Sequence, residues 1–232
     1  MRNMTRRRAL MIGSSQSQSI LPKEYREVQW LRGTGTQYCR TSYAPHVMQG
    51  DYRNSSIRGS LTVLNRNTAK LAILADDMYG GTVNGHTRLG IKINNQTFSF
   101  DYGFLPDDKE KSYGLSSYGT ENIDLTYELN RVNSNYSMIL NNTTPFVAYG
   151  GNMANFYPYL IGAYYSGLEQ ITVLNQDVLI EKLSIYEGDD LISEIIPCYR
   201  KSDNKAGFYE TGTGLFLTNQ GSGSDWLIGP NM

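Results

Sequence analysis

The sequence predicts an all-β protein, a sandwich of two antiparallel sheets, from three observations. First, the 232 residues include 23 glycines and 18 tyrosines; glycine suits tight turns, and tyrosine suits a pleated, half-buried surface. Second, roughly a dozen short runs alternate apolar and polar residues between polar turns. Third, no segment combines helix caps with a 3.6-residue period. Two sheets with one apolar face each bury those faces by stacking about 10 Å apart.

The first predicted strands lie in "EYREVQWLRGTGTQYCRTSY", where Val28, Trp30 and Tyr38 alternate with polar residues around a Gly-Thr-Gly bend. This segment is two short strands or one bent strand, with Trp30 in the core. "IRGSLTVLN" and "AKLAILADD" follow, joined by the turn "NRNT". "TRLGIKINNQTFSFDYG" predicts a hairpin at Asn94–Asn95, because asparagine tolerates positive φ. The polar "LPDDKEKSYGLSSYGT" is expected to be a long exposed loop.

The second half of the chain predicts three further strand pairs. "NIDLTYELNRVNSNYSMILNNTTPF" contains two alternating runs around a turn at residues 133–135. "YPYLIGAYY" precedes "VLIEKLSIYEGDDLISEIIPCY", which reads as a hairpin with its tip at residues 188–190. The last pair is a terminal hairpin near the opening "GTGTQYC" strand, with Phe208 and Phe216 as core candidates. Arg200 and Lys201 are interpreted as edge charges that discourage stray pairing.

The two cysteines, Cys39 and Cys198, are too few for a disulfide framework and lack the spacing of a zinc site. We expect them in neighbouring strands, buried and reduced. A single bridge between the first and last strands is the alternative.

Charge and hydropathy limit the partners. A net charge of -1 provides no overall field for nucleic acid. No segment approaches eighteen apolar residues, so no membrane insertion is predicted.

Residues 1–21 predict an extended N-terminal arm, and residues 22–232 a single globular domain. The arm "MRNMTRRRALMIGSSQSQS" is basic and rich in serine and glutamine, and its apolar stretch is too short for a secretory signal. The default interpretation is a floppy tail. The functional hypothesis is an assembly arm that a neighbouring subunit orders, with Arg6, Arg7, Arg8 and Leu10 as its contacts.

Both ends of the domain resemble one protein family. "LPKEYREVQWLRGTGTQYCRTSYAP" resembles the opening "EYxxVxYIxSTGTQYIxTGYxP" of a large family in phages and prophages of gut bacteria. "IPCYRKSDNKAGFYETGTGLFLTNQGSG" is similar to that family's closing "IPCYRKSDG" turn and "GLYD…GxFYTNxGxG". "RRRALMIG" also resembles the start of such phage proteins. This chain departs from the pattern at Cys39, where the family has a larger aliphatic residue, and at Arg40.

The resemblance implies a concanavalin A-like (laminin G-like) jelly roll and a bacteriophage virion protein. A capsid decoration or head-fibre protein is expected, or a tail or baseplate adhesin, exposed on the particle surface. Its partners would be other virion proteins, further copies of itself as a homo-oligomer, and host or mucus glycans for host adhesion. The alternatives are a structural cementing protein without carbohydrate binding, and a glycan-degrading enzyme.

No catalytic pattern supports an enzyme. Glycoside hydrolases of related folds carry carboxylates as E-x-D-x-E on one strand, and that pattern is absent. His46 and His86 lie in predicted loops far apart in sequence. No glycine-rich loop opens a helix as a phosphate site would. We therefore expect a protein without catalytic residues and without a required cofactor.

Two kinds of binding residue remain as hypotheses. Asp76 and Asp77 offer oxygen ligands near a loop for calcium at the rim of the sandwich, although ordinary turn roles are more common. For glycan binding, the chosen residues are Tyr79, Tyr164, Tyr165 and Trp226. Tyr164 and Tyr165 are preferred, because consecutive strand residues cannot both face the core.

Overall fold

The computed structural model describes residues 20–44, 55–78, 86–104, 109–132, 135–149, 157–167 and 170–232. Within them the chain is almost entirely β, as the alternation predicted. The only helical element there is a short 3-10 helix at Leu115–Tyr118. The strands are β1 (Tyr25–Glu27), β2 (Leu31–Thr34), β3 (Cys39–Arg40), β4 (Ser55–Asn65), β5 (Lys70–Met78), β6 (His86–Asn94), β7 (Thr97–Phe104), β8 (Lys109–Gly114), β9 (Glu121–Val132), β10 (Asn135–Leu140), β11 (Thr143–Tyr149), β12 (Leu160–Ile161), β13 (Ala163–Gly167), β14 (Gln170–Val173), β15 (Asn175–Glu187), β16 (Asp190–Arg200), β17 (Lys205–Glu210), β18 (Leu215–Thr218) and β19 (Leu227–Ile228).

These strands form one curled, jelly-roll-like sheet with two layers. One layer has the order β11-β10-β9-β4-β15-β16-β17-β18, and β1 extends it on β16. The other has the order β14-β13-β5-β6-β7-β8, with β12 joining β3 to β5. β15 continues from the first layer into the second, since its first residues pair with β5. Pairing is antiparallel except between β13 and β5.

The main core lies between the two layers. Inward residues alternate along β4 and β9, as in Leu61 and Leu125, which are each 1% exposed. Rings from opposite layers meet there, with the Phe98 and Tyr127 centroids 6.4 Å apart. Period-two alternation therefore becomes burial on one face of each layer, which explains why the sequence predicted a sandwich.

Several predicted turns are confirmed. Asn95 has φ 54° at the β6–β7 hairpin, and Gly188 has φ 61° at the β15–β16 hairpin. The terminal hairpin forms from β17 and β18 and lies against the opening segment, because the Gln220 amide donates to the Tyr38 carbonyl at 2.8 Å. Phe208 is fully buried as predicted, whereas Phe216 is half-buried in a separate outer cluster with Leu21 and Ile196.

Four other predictions about the fold are wrong. The expected loop after β7 contains β8 and the 3-10 helix; its polar residues lie on an edge strand, and Leu115 is buried beneath it. His86 is the first residue of β6, not a loop residue. Trp30 is half-buried rather than in the core; it packs over Gly229, where an added Cβ would lie 2.7 Å from the indole ring. Arg200 is the last residue of β16, where that strand pairs with both β1 and β17, so it is not on a sheet edge. Its guanidinium pairs with the Asp203 carboxylate at 2.6 Å.

The cysteines are also placed differently. Both are free and fully buried, as expected. However, Cys39 lies in β3 and faces the main core, while Cys198 lies in β16 within the outer cluster. β3 pairs with β12, and β16 pairs with β1, β15 and β17. The two thiols are therefore not in paired strands, and no bridge joins them.

Candidate functional site

The preferred glycan-binding residues lie on the outer face of the second layer. In β13, Ala163 and Tyr165 turn away from the main core. They pack with Leu160 beside the half-buried Tyr38, in an apolar cluster distinct from the outer cluster of Leu21 and Ile196. Tyr165 is only 4% exposed, so it cannot be a stacking platform itself, and that prediction is wrong. The prediction assumed that one side of β13 must be solvent. The side of β13 that carries Ala163 and Tyr165 is covered by this cluster, whereas Tyr164 on the other side is half-buried.

Tyr165 supports a more exposed ring. Tyr157 is 43% exposed, and its ring lies 5.4 Å from that of Tyr165 at an angle of 39°. The guanidinium of Arg40 lies 5.8 Å from the centre of the same Tyr165 ring. We name Tyr38, Arg40, Tyr157 and Tyr165 the tyrosine–arginine patch.

The backbone pairing explains how these residues come together. Arg40 in β3 is opposite Leu160 in β12, and the Thr41 amide donates to the Tyr159 carbonyl at 2.9 Å. Residues at alternate positions of a strand share a face. Tyr38 and Arg40 therefore point outward on either side of the core-facing Cys39.

The two tyrosines of "YPY" differ in burial although they are two positions apart, because residues 157–159 precede β12 and do not follow strand alternation. Tyr159 faces the core at 2% exposure, and burial raises its pKa well above the usual value. Tyr157 remains at the surface. The sequence analysis predicted strands in "YPYLIGAYY" and opposite faces for Tyr164 and Tyr165, but it did not single out Tyr157, and it treated Arg40 only as a departure from the family pattern.

The other predicted glycan-binding residues give three outcomes. Trp226 is 3% exposed and meets the edge of Phe208 at 5.4 Å, so it belongs to the core and its assignment to an exposed loop is wrong. Its position after "GSGSD" indicated a loop, but the closing segment folds back over the core. Tyr164 is half-buried in β13. Tyr79 lies outside the described residues.

The calcium and arm predictions remain untested. Asp76 and Asp77 lie in β5, opposite Arg88 and Thr87 of β6, and only their backbone is described. Within the described part of the chain, no group of three or more histidine, cysteine or acidic side chains is placed to hold a metal. The arm residues Arg6, Arg7, Arg8 and Leu10 lie outside the described residues. No helix of the described chain is long and apolar enough to cross a membrane.

A group of hydroxyl and carboxylate side chains spans β4, β9 and β15 of the first layer. The Thr62 hydroxyl in β4 is 2.8 Å from Oδ1 of Asp124 in β9 and 3.3 Å from Oε1 of Glu181 in β15. The Ser60 hydroxyl donates to Oε2 of Glu181. A hydroxyl has one proton, so Thr62 donates to one carboxylate at a time. The sequence analysis searched for acids along a single strand and did not predict this pair, which joins three strands.

Comparison with known proteins yields no family. No protein-family model matches the chain, and no curated protein does. The binding domain of botulinum neurotoxin DC, in complex with SialylT, is similar in structure at 12% identity and a TM-score of 0.42, over 70% of this chain and 48% of that one. The binding domain of botulinum neurotoxin serotype D/C is 13% identical with a TM-score of 0.40, over 70% of this chain and 49% of that one. Scytalido-glutamic peptidase is 8% identical with a TM-score of 0.37, over 89% of this chain and 100% of that one.

This chain spans about half the length of the two neurotoxin domains. Because all three TM-scores are below 0.5, neither the fold nor the function of this chain is inferred from these structures.

Proposed function

We propose that this chain is a non-enzymatic bacteriophage virion protein, exposed on the particle surface, that binds host or mucus glycans through the tyrosine–arginine patch. The phage context rests on the resemblance of the two end segments. The binding function rests on Tyr157, whose ring is 43% exposed and is backed by the buried ring of Tyr165.

An exposed tyrosine offers both contacts that a sugar needs. Its ring face is apolar and stacks on the C–H face of a pyranose, and its hydroxyl bonds to the sugar hydroxyls. Tyr157 packs against Tyr165, which lies in a strand paired on both sides. Because a supported ring has little conformational freedom to lose, binding costs less entropy than it would for a ring on a free loop.

Replacing the exposed ring tests the site. We expect Tyr157→Ala to weaken glycan binding about tenfold, which corresponds to the loss of about 1.4 kcal/mol of stacking and burial. The measurement is a glycan array followed by titration of the strongest ligand. Tyr118→Ala is the matched control, since Tyr118 is 39% exposed in the 3-10 helix. Unchanged binding by Tyr157→Ala, or an equal loss in Tyr118→Ala, would contradict the proposed site.

The same ligands test the absence of catalysis. Asp124 and Glu181 are near enough through Thr62 to resemble the paired acids of glycoside hydrolases. We expect no new reducing ends during incubation. The two carboxylates already accept hydrogen bonds from sheet hydroxyls, which is a structural role. Product formation that Glu181→Gln abolishes would identify a hydrolase and overturn this part of the proposal.

Virion attachment is assigned to the N-terminal arm. Four arginines lie among its first eight residues, and they would pair with acidic surfaces of neighbouring virion subunits. We expect deletion of residues 1–20 to prevent incorporation into particles while glycan binding by the remaining domain is unchanged. Particle assembly in a complemented phage, with sedimentation and immunoblotting, measures the first effect.

The alternative is a cementing protein that binds no sugar. It predicts that the arm deletion prevents incorporation and that no glycan binds with or without the arm. Normal incorporation of the arm-less protein would contradict arm docking in either case.

A further inference from the structure

We infer that the tyrosine–arginine patch selects acidic glycans, with Arg40 as the residue that recognises the negative group. This inference rests on the proposed glycan-binding function and adds the ligand's chemical class. The class is a pyranose that carries a carboxylate or a sulfate ester next to the face that stacks on Tyr157.

The position of Arg40 is the first observation. It ends β3 with an exposed side chain, on the same side of the strand as Tyr38. Its Cζ lies 5.8 Å from the centre of the Tyr165 ring, and Tyr157 touches that ring at 5.4 Å between centroids. The cation and the exposed aromatic thus share the buried Tyr165 ring as a neighbour, which brings both to one part of the surface.

The absence of a competing acid is the second observation. Arg40 lies by the Tyr165 ring and opposite Leu160, and the side chains that pack with Tyr165 are aromatic or aliphatic, namely Tyr38, Tyr157, Leu160 and Ile171. By contrast, Arg32 pairs with Asp177, Arg58 with Glu128 and Arg200 with Asp203. Arg40 makes no ion pair with any carboxylate in the part of the chain that the structure describes.

These two observations favour an anionic ligand. A guanidinium offers parallel N–H donors that fit a carboxylate or a sulfate, and a bond between charged groups is about twice as strong as one between neutral groups. A ligand need not displace an internal acid to reach Arg40.

Three ligands with one common core separate the effects of charge and stacking. Lactose is the neutral reference, 3′-sialyllactose adds a carboxylate and 3′-sulfolactose adds a sulfate. We expect the full chain to bind at least one acidic ligand tenfold or more tightly than lactose, and we expect the ratio to decrease when NaCl rises from about 50 to 500 mM. Comparison of 3′-sialyllactose with 3′-sulfolactose shows whether a carboxylate or a sulfate is preferred.

Substitutions assign the effect to Arg40. We expect Arg40→Gln to reduce the ratio of acidic to neutral affinity to near one, and Arg40→Lys to keep part of it, because lysine keeps the charge but loses the planar donors. Arg26→Gln, which removes an exposed arginine from β1, is the control and should keep the wild-type ratio.

The outcomes distinguish this inference from the proposed function. If Tyr157→Ala reduces binding of all three ligands but the wild-type ratio is already near one, the site stands and the acidic preference is wrong. A ratio that survives in Arg40→Gln also overturns the role of Arg40. If Tyr157→Ala changes the affinity for none of the three ligands, the proposed site itself is wrong.

Discussion

At the residue scale, Gln37 explains why the opening segment reads "GTGTQY". Its side chain is fully buried, and its Oε1 accepts hydrogen bonds from the Thr34 and Thr36 amides at 2.7 and 3.2 Å. Its Nε2 donates to the Ser224 carbonyl at 3.0 Å, which ties the opening segment to the closing one. One side chain thus holds the bend that delivers Tyr38 and Arg40 to the surface.

Gly33 is required at the same place. An added Cβ would lie 2.2 Å from the amide nitrogen of Asn175, a buried side chain that donates to the Gln37 carbonyl at 3.1 Å. No side chain fits there without displacing Asn175. The sequence predicted a turn at this position, but the need for glycine comes from a residue 142 positions later.

The Gln37 bend should be important for stability. We expect Gln37→Ala to lower the free energy of unfolding by about 2 kcal/mol, because it removes the acceptor of two amides and leaves a cavity. Urea denaturation followed by tryptophan fluorescence measures the change, with Gln176→Ala on the surface of β15 as the control. A loss below about 0.5 kcal/mol, equal to that of the control, would contradict the role assigned to Gln37.

At the element scale, the opening and closing segments form one unit. Glu210 ends β17 and is 1% exposed. Its carboxylate accepts from the Ser42 amide at 3.1 Å, from the Ser42 hydroxyl at 2.5 Å and from the Thr213 hydroxyl at 2.7 Å. The terminal hairpin is therefore attached to the residues that follow β3. This explains why two distant sequence signatures occur together: each supplies partners that the other buries.

Strands could be predicted from the sequence where one face of the strand is buried and the other is exposed. β9 alternates regularly, and β15 alternates on either side of an irregularity between Ile180 and Leu183; the sequence predicted a strand in both places. β8 was missed, because its polar residues carry no apolar alternation, and its strand state depends on pairing with β7. Its register, Phe98 opposite Tyr113, is a tertiary property.

At the scale of the whole molecule, the two thiols report on the packing of separate clusters. Burial raises the pKa of the Cys39 thiol, and Glu210 nearby raises it further. Burial also raises the pKa of Cys198 to about 12. Both thiols are therefore neutral at pH 8 in the folded protein. Because the folded pKa exceeds the unfolded one, the associated stability is complete below the unfolded pKa and decreases as pH rises above it.

We expect neither thiol of the native protein to react with an aromatic disulfide reagent at pH 8, because the thiolate is the reactive form and both sulfurs are buried. In 6 M guanidinium without reductant, both should react, since no bridge joins them. Absorbance of the thiolate released from the reagent measures the number of reactive thiols in the native and in the unfolded protein. Unfolded Cys198→Ala should show one reactive thiol. Rapid reaction of the native protein would show that one cluster opens readily.

The sequence by itself determined the fold class, the main hairpins and the buried state of the cysteines, because alternation and turn residues are local properties of the chain. The functional surface depended on tertiary structure. Trp226 is buried against Phe208, and Tyr165 lies in a cluster that the distant Tyr38 helps to cover. Tyr157 and Arg40 both lie against Tyr165. Asp124 and Glu181 meet only across β4. A strand pattern predicts that successive residues face opposite sides, but which side reaches water depends on what packs against the sheet.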